Sequence, residues 1–335
     1  MDFSNLDGRT LLVTGGTGSF GNVFVENAIK NKNIAKIIIY SRDEMKQWHM
    51  SKKFQDSRLR FFIGDIRDKP RLTRSFEGVD YVIHAAATKI VPTAEYNPFE
   101  CIKTNINGAM NVIDAALDSG VKKVVALSTD KASSPINLYG ATKLISDKVF
   151  VAANAYSGKK GCKFSVVRYG NVMGSRGSVI PFFNNFDKDK PLPITHPEMT
   201  RFMISLEDGI DLVLKAFEVS FGGEIFVKKI PSMKILEVAD AIRPSGEIDI
   251  VGIREGEKLH EQMISVEDAA YTFDYDDHYR ILPIIHEWYL DKRRIQGGKK
   301  VPENFSYTSK NNTNWMSKDF LQAWIIKNKD RLGKI

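Results

Sequence analysis

The segment from Thr129 to Lys143 contains side chains that can move protons. Thr129, Asp130 and Lys131 follow an apolar run, and Tyr139 and Lys143 lie a few positions further on. A spacing of four residues places Tyr139 and Lys143 on one face of a helix. Because a nearby ammonium favours the phenolate, we expect Lys143 to lower the pKa of Tyr139. Tyr139 would then accept the proton of an alcohol while a hydride leaves the same carbon.

A glycine-rich segment, VTGGTGSFG, follows an apolar run and precedes a helical pattern. Glycine at these positions permits a tight turn and lets backbone N–H groups approach a pyrophosphate. The helix N-terminus adds partial positive charge. The pattern predicts a dinucleotide site rather than a simple turn. Its expected contacts are Thr14, Gly15, Thr17, Gly18, Ser19, Phe20 and Gly21.

The end of the second predicted strand favours NADP over NAD. An Asp or Glu there would bind the ribose 2′-hydroxyl of NAD, but this chain has Ser41 and Arg42, with Lys46 one helical turn later. A guanidinium suits a 2′-phosphate; the alternative is that Arg42 pairs with a neighbouring carboxylate on the surface. Asp65 is expected to bind the adenine amino group or to cap a helix. The other predicted cofactor contacts are Ile66, Ala85, Ala86, Lys89, Tyr139 and Lys143.

Short β-branched runs alternate with helical patterns, which predicts an α/β fold with a Rossmann-type, doubly wound parallel sheet. The predicted strands are Thr10–Gly16, Ala35–Arg42, Leu59–Asp65, Val79–Ala87, Val121–Thr129 and Phe164–Val172. The predicted helices are Gly18–Asn31, Arg71–Phe76, Pro98–Ser119 and Leu138–Tyr156. Prolines punctuate the chain after Gly174. We therefore expect a nucleotide-binding domain over residues 1–173. A smaller substrate-binding domain over 174–335 is expected to return some segments to the sheet.

The composition is that of an ordinary soluble globular protein, with 43% hydrophobic and 27% charged residues among 335. The net charge of +7 suits anionic partners such as nucleotides. Two cysteines without metal-ligand spacing indicate reduced thiols and a cytoplasmic protein. No apolar stretch approaches the roughly 18–20 residues of a membrane span, so we expect no membrane partner.

Several long motifs resemble a known family. TGGTGSFG, STDKA and YGATK together resemble the extended short-chain dehydrogenase/reductases that act on nucleotide sugars. HAAATKIVPTAEYNPFECIKTNINGA, RYGNVMGSRGSVIPFF and GIREGEKLHE are similar to the configuration-inverting UDP-N-acetylglucosamine 4,6-dehydratases of bacterial pseudaminic acid synthesis. The resemblance covers residues 7–330.

This resemblance implies a lyase reaction on UDP-N-acetylglucosamine. Oxidation at carbon 4 makes a ketone that acidifies the hydrogen on carbon 5, and water is then lost across carbons 5 and 6. Hydride returns to carbon 6, and carbon 5 is reprotonated with inversion. The product would be UDP-2-acetamido-2,6-dideoxy-β-L-arabino-hex-4-ulose, in the first step toward pseudaminic acid or a related glycan, such as that of flagellin. The resemblance also implies tightly bound NADP and a homo-oligomer, either a dimer or a hexamer.

The same resemblance assigns roles to the residues of the first motif. Tyr139 and Thr129 would contact the carbon-4 oxygen, and Asp130 would be the acid for water loss. Lys131 would be the base at carbon 5 or, if it stays charged, a cation that stabilises the enolate. The implied substrate contacts are Lys89, Asn171, Val179, Arg201, Arg254 and Glu257, with Glu257 and Glu261 as candidate ribose ligands.

Three other functions are alternatives for this sequence. A nucleotide-sugar 4-epimerase would share the glycine loop and the Tyr139–Lys143 pair but would not need Asp130 and Lys131. A non-catalytic NADP-binding regulator would need none of these four side chains, Asp130, Lys131, Tyr139 and Lys143. Nucleic-acid binding is suggested by the positive charge alone, without a recognition motif, so we expect no nucleic-acid partner. The histidines lack metal-ligand spacing, and we expect no metal.

Overall fold

The computed structural model describes residues 1–158 and 161–333. Its strands, numbered in chain order, are β1 Thr10–Thr14, β2 Lys36–Ser41, β3 Leu59–Ile63, β4 Tyr81–His84, β5 Lys123–Thr129, β6 Lys163–Tyr169, β7 Asn171–Val172, β8 Leu192–Ile194, β9 Thr200–Ile204, β10 Ile225–Lys228, β11 Ser232–Lys234, β12 Ile248–Ile250, β13 Gln262–Ile264, β14 Thr272–Asp274, β15 His278–Ile281, β16 Lys299–Lys300 and β17 Tyr307–Thr308.

The α-helices are α1 Ser19–Ala28, α2 Glu44–Lys53, α3 Lys69–Ser75, α4 Val91–Tyr96, α5 Pro98–Ile102, α6 Gly108–Ser119, α7 Leu138–Ala153, α8 Val179–Asn184, α9 Leu206–Val219, α10 Ile235–Ile242, α11 Val266–Ala269, α12 Lys292–Ile295 and α13 Lys318–Lys327. A π-helical turn, Lys103–Asn107, separates α5 from α6 where the sequence predicts one continuous helix. None of the helices in the described ranges is long and apolar enough to cross a membrane.

Ten strands form the main sheet, in the order β16-β14-β15-β10-β6-β5-β4-β1-β2-β3. The six strands from β6 to β3 are parallel and follow the doubly wound order, so the predicted fold class is confirmed. Neighbouring strands β1 and β4 feed helices to opposite faces, and the crevice above such a switch point is where open α/β sheets bind ligands. The N-terminal half of the chain therefore presents its strand ends to one crevice.

Two separate apolar clusters hold the elements in place. The larger lies on both faces of the parallel sheet and includes Leu12, Val82 and Val125. The smaller packs α10 and α13 together and includes Met233 and Leu321. Strands β10 and β14 to β16 lie beyond residue 174 and yet join the main sheet. The division into two domains at residue 173 stays a prediction.

Candidate active site

The loop between β1 and α1 forms a cradle that only glycine can line. Gly15 has a left-handed φ of +65°, and a Cβ there would lie 2.8 Å from the Cα of Ala86. A Cβ at Gly21 would overlap the carbonyl oxygen of Gly16. Helix α1 begins after Gly18, which makes no side-chain capping hydrogen bond. The cradle fits a dinucleotide pyrophosphate, because it offers close backbone approach at the N-terminus of a helix.

The other predicted cofactor residues lie at the ends of the same parallel strands. Thr14 ends β1, and its Oγ1 accepts a hydrogen bond from the backbone N–H of Ala86 after β4, at 3.3 Å. Ser41 ends β2 and is buried, whereas the Arg42 side chain is 63% exposed and 3.8 Å from Asp65. Thr17, Ser19 and Phe20 lie in or beside the first turn of α1, Ile66 follows β3 and Ala85 follows β4.

Side-chain pairing differs among the polar members of this set. Lys46 pairs with Asp43 at 3.0 Å. Asp65 accepts hydrogen bonds from the Arg67 guanidinium at 2.7 and 3.0 Å, and this guanidinium helps to lower the pKa of Asp65 although burial opposes it. Arg42 is thus only loosely paired, at 3.8 Å from Asp65. Its guanidinium is available to an anion at the end of β2.

Asp130 and Lys131 lie at the carboxyl end of β5, where the strand passes into a single 3-10 turn. The ammonium of Lys131 donates to Asp130 Oδ1 at 3.0 Å and lies 3.1 Å from Glu261 Oε1. The Asp130 and Glu261 side chains are 1% and 2% exposed, while Lys131 is 23% exposed. Thr129 Oγ1 also donates to Asp130, at 3.0 Å. One cation is therefore shared by two buried carboxylates.

The pKa values of the groups in this cluster shift in different directions. Burial raises the pKa of Asp130, and the charge of Glu261 adds to the rise, although Lys131 opposes it. Burial also acts to raise the pKa of Glu261, but the cations Lys131 and Arg201 outweigh it and the net shift is downward. For Lys131 burial favours the neutral amine, yet its two carboxylates outweigh burial and raise the pKa. These directions favour the ammonium form of Lys131, and they favour a proton on Asp130 over one on Glu261.

Tyr139 and Lys143 lie on the first turns of α7 and are both buried. Their electrostatics correct the prediction made from spacing. Burial raises the pKa of Tyr139 to about 12, and the opposing effects come from the Lys131 charge and a hydrogen bond with Thr129. The Lys143 ammonium donates instead to the carbonyl of Leu127 at 2.8 Å, and burial lowers its own pKa. The expectation that Lys143 lowers the pKa of Tyr139 is wrong for the protein alone, because desolvation of the phenol dominates.

The predicted substrate residues lie in two places. The first group is near the end of β4 and the loop after β6: Lys89 donates to the carbonyl of Arg176 at 3.0 Å, Asn171 lies on β7, and Val179 begins α8. Arg201 on β9 is buried and lies 3.4 Å from Glu257. Arg254 is 69% exposed and 3.0 Å from the same carboxylate.

Two polar residues of the site differ from the sequence prediction: one has another partner than expected, and the other has no predicted role. Glu261, a candidate ribose ligand by resemblance, lies instead against Lys131. Asn105, in the π-helical turn, accepts from the backbone N–H of Thr88 at 2.8 Å and donates to its carbonyl at 2.9 Å. This turn re-aims Asn105 at the loop after β4. No cluster of three or more potential metal ligands occurs within residues 1–158 and 161–333.

Known proteins are similar in sequence to this chain over nearly their whole length. The inverting UDP-N-acetylglucosamine 4,6-dehydratase of Campylobacter jejuni is 55% identical over 93% of this chain and 95% of its own. The UDP-glucose 4-epimerase of Rickettsia bellii is 45% identical over 90% of this chain and 91% of its own. The resemblance to the inverting dehydratases is thereby confirmed.

Solved structures agree on the fold. The X-ray structure of Pen from Bacillus thuringiensis superposes with a TM-score of 0.88 and is 34% identical, covering 97% of this chain and 99% of Pen. A dTDP-glucose 4,6-dehydratase from Streptomyces venezuelae, solved with NAD bound, has a TM-score of 0.67 and 26% identity, covering 75% of this chain and 86% of its own. The family model described as polysaccharide biosynthesis protein matches residues 11–283. This chain therefore belongs to the polysaccharide biosynthesis protein family.

Proposed function

We propose that this protein is an inverting UDP-N-acetylglucosamine 4,6-dehydratase. The observation that carries the proposal is the ion pair of the buried Asp130 and the partly exposed Lys131 at the end of β5, whose charges reach Tyr139. An enzyme that only oxidises and reduces carbon 4 needs no acid–cation pair at this position. A dehydratase needs it, because the 6-hydroxyl must be protonated as it departs.

In this proposal, Tyr139 and Thr129 bind the carbon-4 hydroxyl. The positive charge of a bound oxidised nicotinamide would favour the phenolate of Tyr139, which then accepts the proton of that hydroxyl. A bound nicotinamide dinucleotide supplies the hydride acceptor for carbon 4 and the hydride that later reaches carbon 6. Asp130 gives its proton to the 6-oxygen as water leaves. Its Oδ2 is buried, and among the described residues it has no hydrogen-bond partner, which suits an oxygen that carries and donates a proton.

Of the two roles considered for Lys131, the structure supports the cationic one. The Lys131 ammonium is the most exposed member of its cluster, and the Asp130 and Glu261 carboxyl groups beside it favour its charge. A cation beside carbons 4 and 5 stabilises the enolate oxygen. Lys131 takes up the carbon-5 proton as it passes one of its own protons to Asp130, 3.0 Å away, and Asp130 protonates the departing 6-oxygen.

A 4-epimerase is the second candidate, because epimerases of Rickettsia share 45% of this sequence. Incubation with UDP-N-acetylglucosamine and mass spectrometry of the product separates the two. We expect the product to be lighter than the substrate by one water. A product of unchanged mass would support the epimerase and contradict the dehydratase.

The related dehydratase from Streptomyces venezuelae was solved with NAD bound. We propose that this chain also binds a nicotinamide dinucleotide and that it prefers NADP. Arg42 is exposed and loosely paired at the end of β2, where a 2′-phosphate would lie. Arg42→Ala is expected to weaken NADPH binding by about 10–100-fold, since a charged hydrogen bond contributes roughly 1.5–3 kcal/mol. NADH binding should change little.

Titration calorimetry of both cofactors measures this preference, with Arg60→Ala as the control. The Arg60 guanidinium donates to backbone carbonyls at Ser57 and Leu59, away from the end of β2. An equal loss of NADPH and NADH affinity in Arg42→Ala would contradict a 2′-phosphate contact.

We also propose that the protein acts in the cytoplasm as a homo-oligomer, a dimer or a hexamer, and serves pseudaminic acid or flagellin glycan synthesis. The support for self-association is a set of exposed apolar side chains on α4 to α7: Tyr96, Phe99, Met110 and Ile145. Light scattering measures the oligomeric mass, and a monomer at micromolar concentration would contradict this part of the proposal.

A further inference from the structure

Glu261 lies far from the catalytic motif in sequence and yet completes its charge cluster. Its Oε1 is 3.1 Å from the Lys131 ammonium and 3.8 Å from Nε of Arg201. Its side chain is almost fully buried. A carboxylate removed from water in this way is stable only when cations face it. Glu261 therefore bridges the partly exposed Lys131 to the buried Arg201.

The backbone at Glu261 is fixed by its neighbours. Its N–H donates to Ser309 Oγ at 2.9 Å, and its carbonyl accepts from the Ser309 N–H at 2.8 Å. Ser309 in turn hydrogen-bonds Thr200 on β9, the residue before Arg201. The carboxylate thus reaches Lys131 from a backbone position that hydrogen bonds fix at the ends of β13 and β17. Such support is typical of a group whose position matters to an active site.

We infer that Glu261 is a positioning residue, which holds the Lys131 ammonium between its own carboxylate and the Asp130 carboxyl group and leaves the exchangeable proton of the site on Asp130. The inference rests on the proposed dehydratase function. Without Glu261 the ammonium would pair with Asp130 alone. Asp130 would then be held as a carboxylate and would lose its role as the acid that protonates the departing oxygen.

The direction of the charge effects agrees with this geometry. Glu261 repels a charge on Asp130 and so raises the pKa of that carboxyl, while Lys131 acts in the opposite direction. Removal of the Glu261 charge takes away the repulsion and frees Lys131 for Asp130, so both changes lower the pKa of Asp130. The groups that face the cluster are Thr129 on β5, Tyr139 on α7, Arg168 on β6, Arg201 on β9, and Lys258 and Glu261 before β13.

The test is the pH dependence of water loss in Glu261→Gln. An acid works only while protonated, so the rate falls as the pH rises through its pKa. We expect this high-pH limb to move down by about one pH unit, and water loss above neutral pH to slow about 10-fold. Reduction of the nicotinamide, which reports carbon-4 oxidation, should stay near the wild-type rate. Glu261→Asp keeps the negative charge on a side chain that is shorter by one methylene group. We therefore expect it to move the high-pH limb less than Glu261→Gln does.

Glu224→Gln is the matched control. Glu224 is equally buried and pairs with Arg294 at 2.9 Å, in the sheet beyond the active site. The Glu224→Gln variant should have a lower melting temperature, but the high-pH limb of its rate of water loss should not move. An unmoved limb in Glu261→Gln, or equal slowing of oxidation and water loss, would overturn the inference. A wild-type product that keeps the mass of its substrate would overturn the proposed function instead, and the inference with it.

Discussion

Asp130→Asn is expected to slow the loss of water by about 10²–10⁴-fold, the usual contribution of a positioned acid. Asparagine keeps the shape of the side chain but has no proton to give to the departing 6-oxygen. Oxidation at carbon 4 should continue, because Tyr139 carries that step. Reduced nicotinamide should therefore accumulate after substrate is mixed with enzyme, and its absorbance measures the half-reaction directly.

The control for this experiment is again Glu224→Gln, which removes a buried carboxylate charge outside the site. It should release water at the wild-type rate. If Asp130→Asn also dehydrated the substrate at an undiminished rate, Asp130 would not be the acid. Loss of both steps without accumulated reduced nicotinamide would also contradict the assignment, since it would place Asp130 before water loss.

Tyr139→Phe is expected to abolish both steps, with nicotinamide reduction slowed by about 10²–10⁴-fold. The phenol is the buried hydroxyl beside Thr129, and no water loss can precede the ketone at carbon 4. Binding of the UDP-sugar should stay close to that of the wild type, because the phenylalanine fills the same space. Stopped-flow absorbance and titration calorimetry measure the two quantities separately.

Tyr169→Phe gives a matched control for Tyr139→Phe. Tyr169 ends β6 and is equally buried; burial raises its pKa, and it lies close enough to Tyr139 for the charge of that phenol to add to the rise. We expect this variant to reduce nicotinamide at nearly the wild-type rate. Fast reduction in Tyr139→Phe would show that another group accepts the proton.

The parallel strands and the glycine loop could be predicted because their signals are local. Runs such as KIIIYS are buried on both faces, and the turn after β1 needs glycine for steric reasons. Helix α2 was missed because only Gln47 and Met50 are buried in it, so it shows almost no apolar stripe. The π-helical turn before α6 was also missed, since the hydrogen bonds of Asn105 to the distant Thr88 hold it.

The active site was predictable where its residues are close in sequence. Asp130, Lys131, Tyr139 and Lys143 lie within one short segment. The charges of Lys131 and Asp130 reach the Tyr139 phenol, whereas the Lys143 ammonium donates to the carbonyl of Leu127. Glu261 was not predictable as their neighbour, because the β13–β17 pairing brings it there from the far end of the chain. The pKa direction of Tyr139 failed for a related reason. Spacing shows which side chains share a face, but burial depends on the whole fold.

The most direct test of the account is the carbon-5 configuration of the product formed from UDP-N-acetylglucosamine in deuterium oxide. If Asp130 and Lys131 carry out elimination and inversion, NMR should show a 4-keto-6-deoxy sugar of L-configuration with deuterium at carbon 5. A product with the original configuration at carbon 5, or with hydrogen retained there and the 6-hydroxyl intact, would contradict the account.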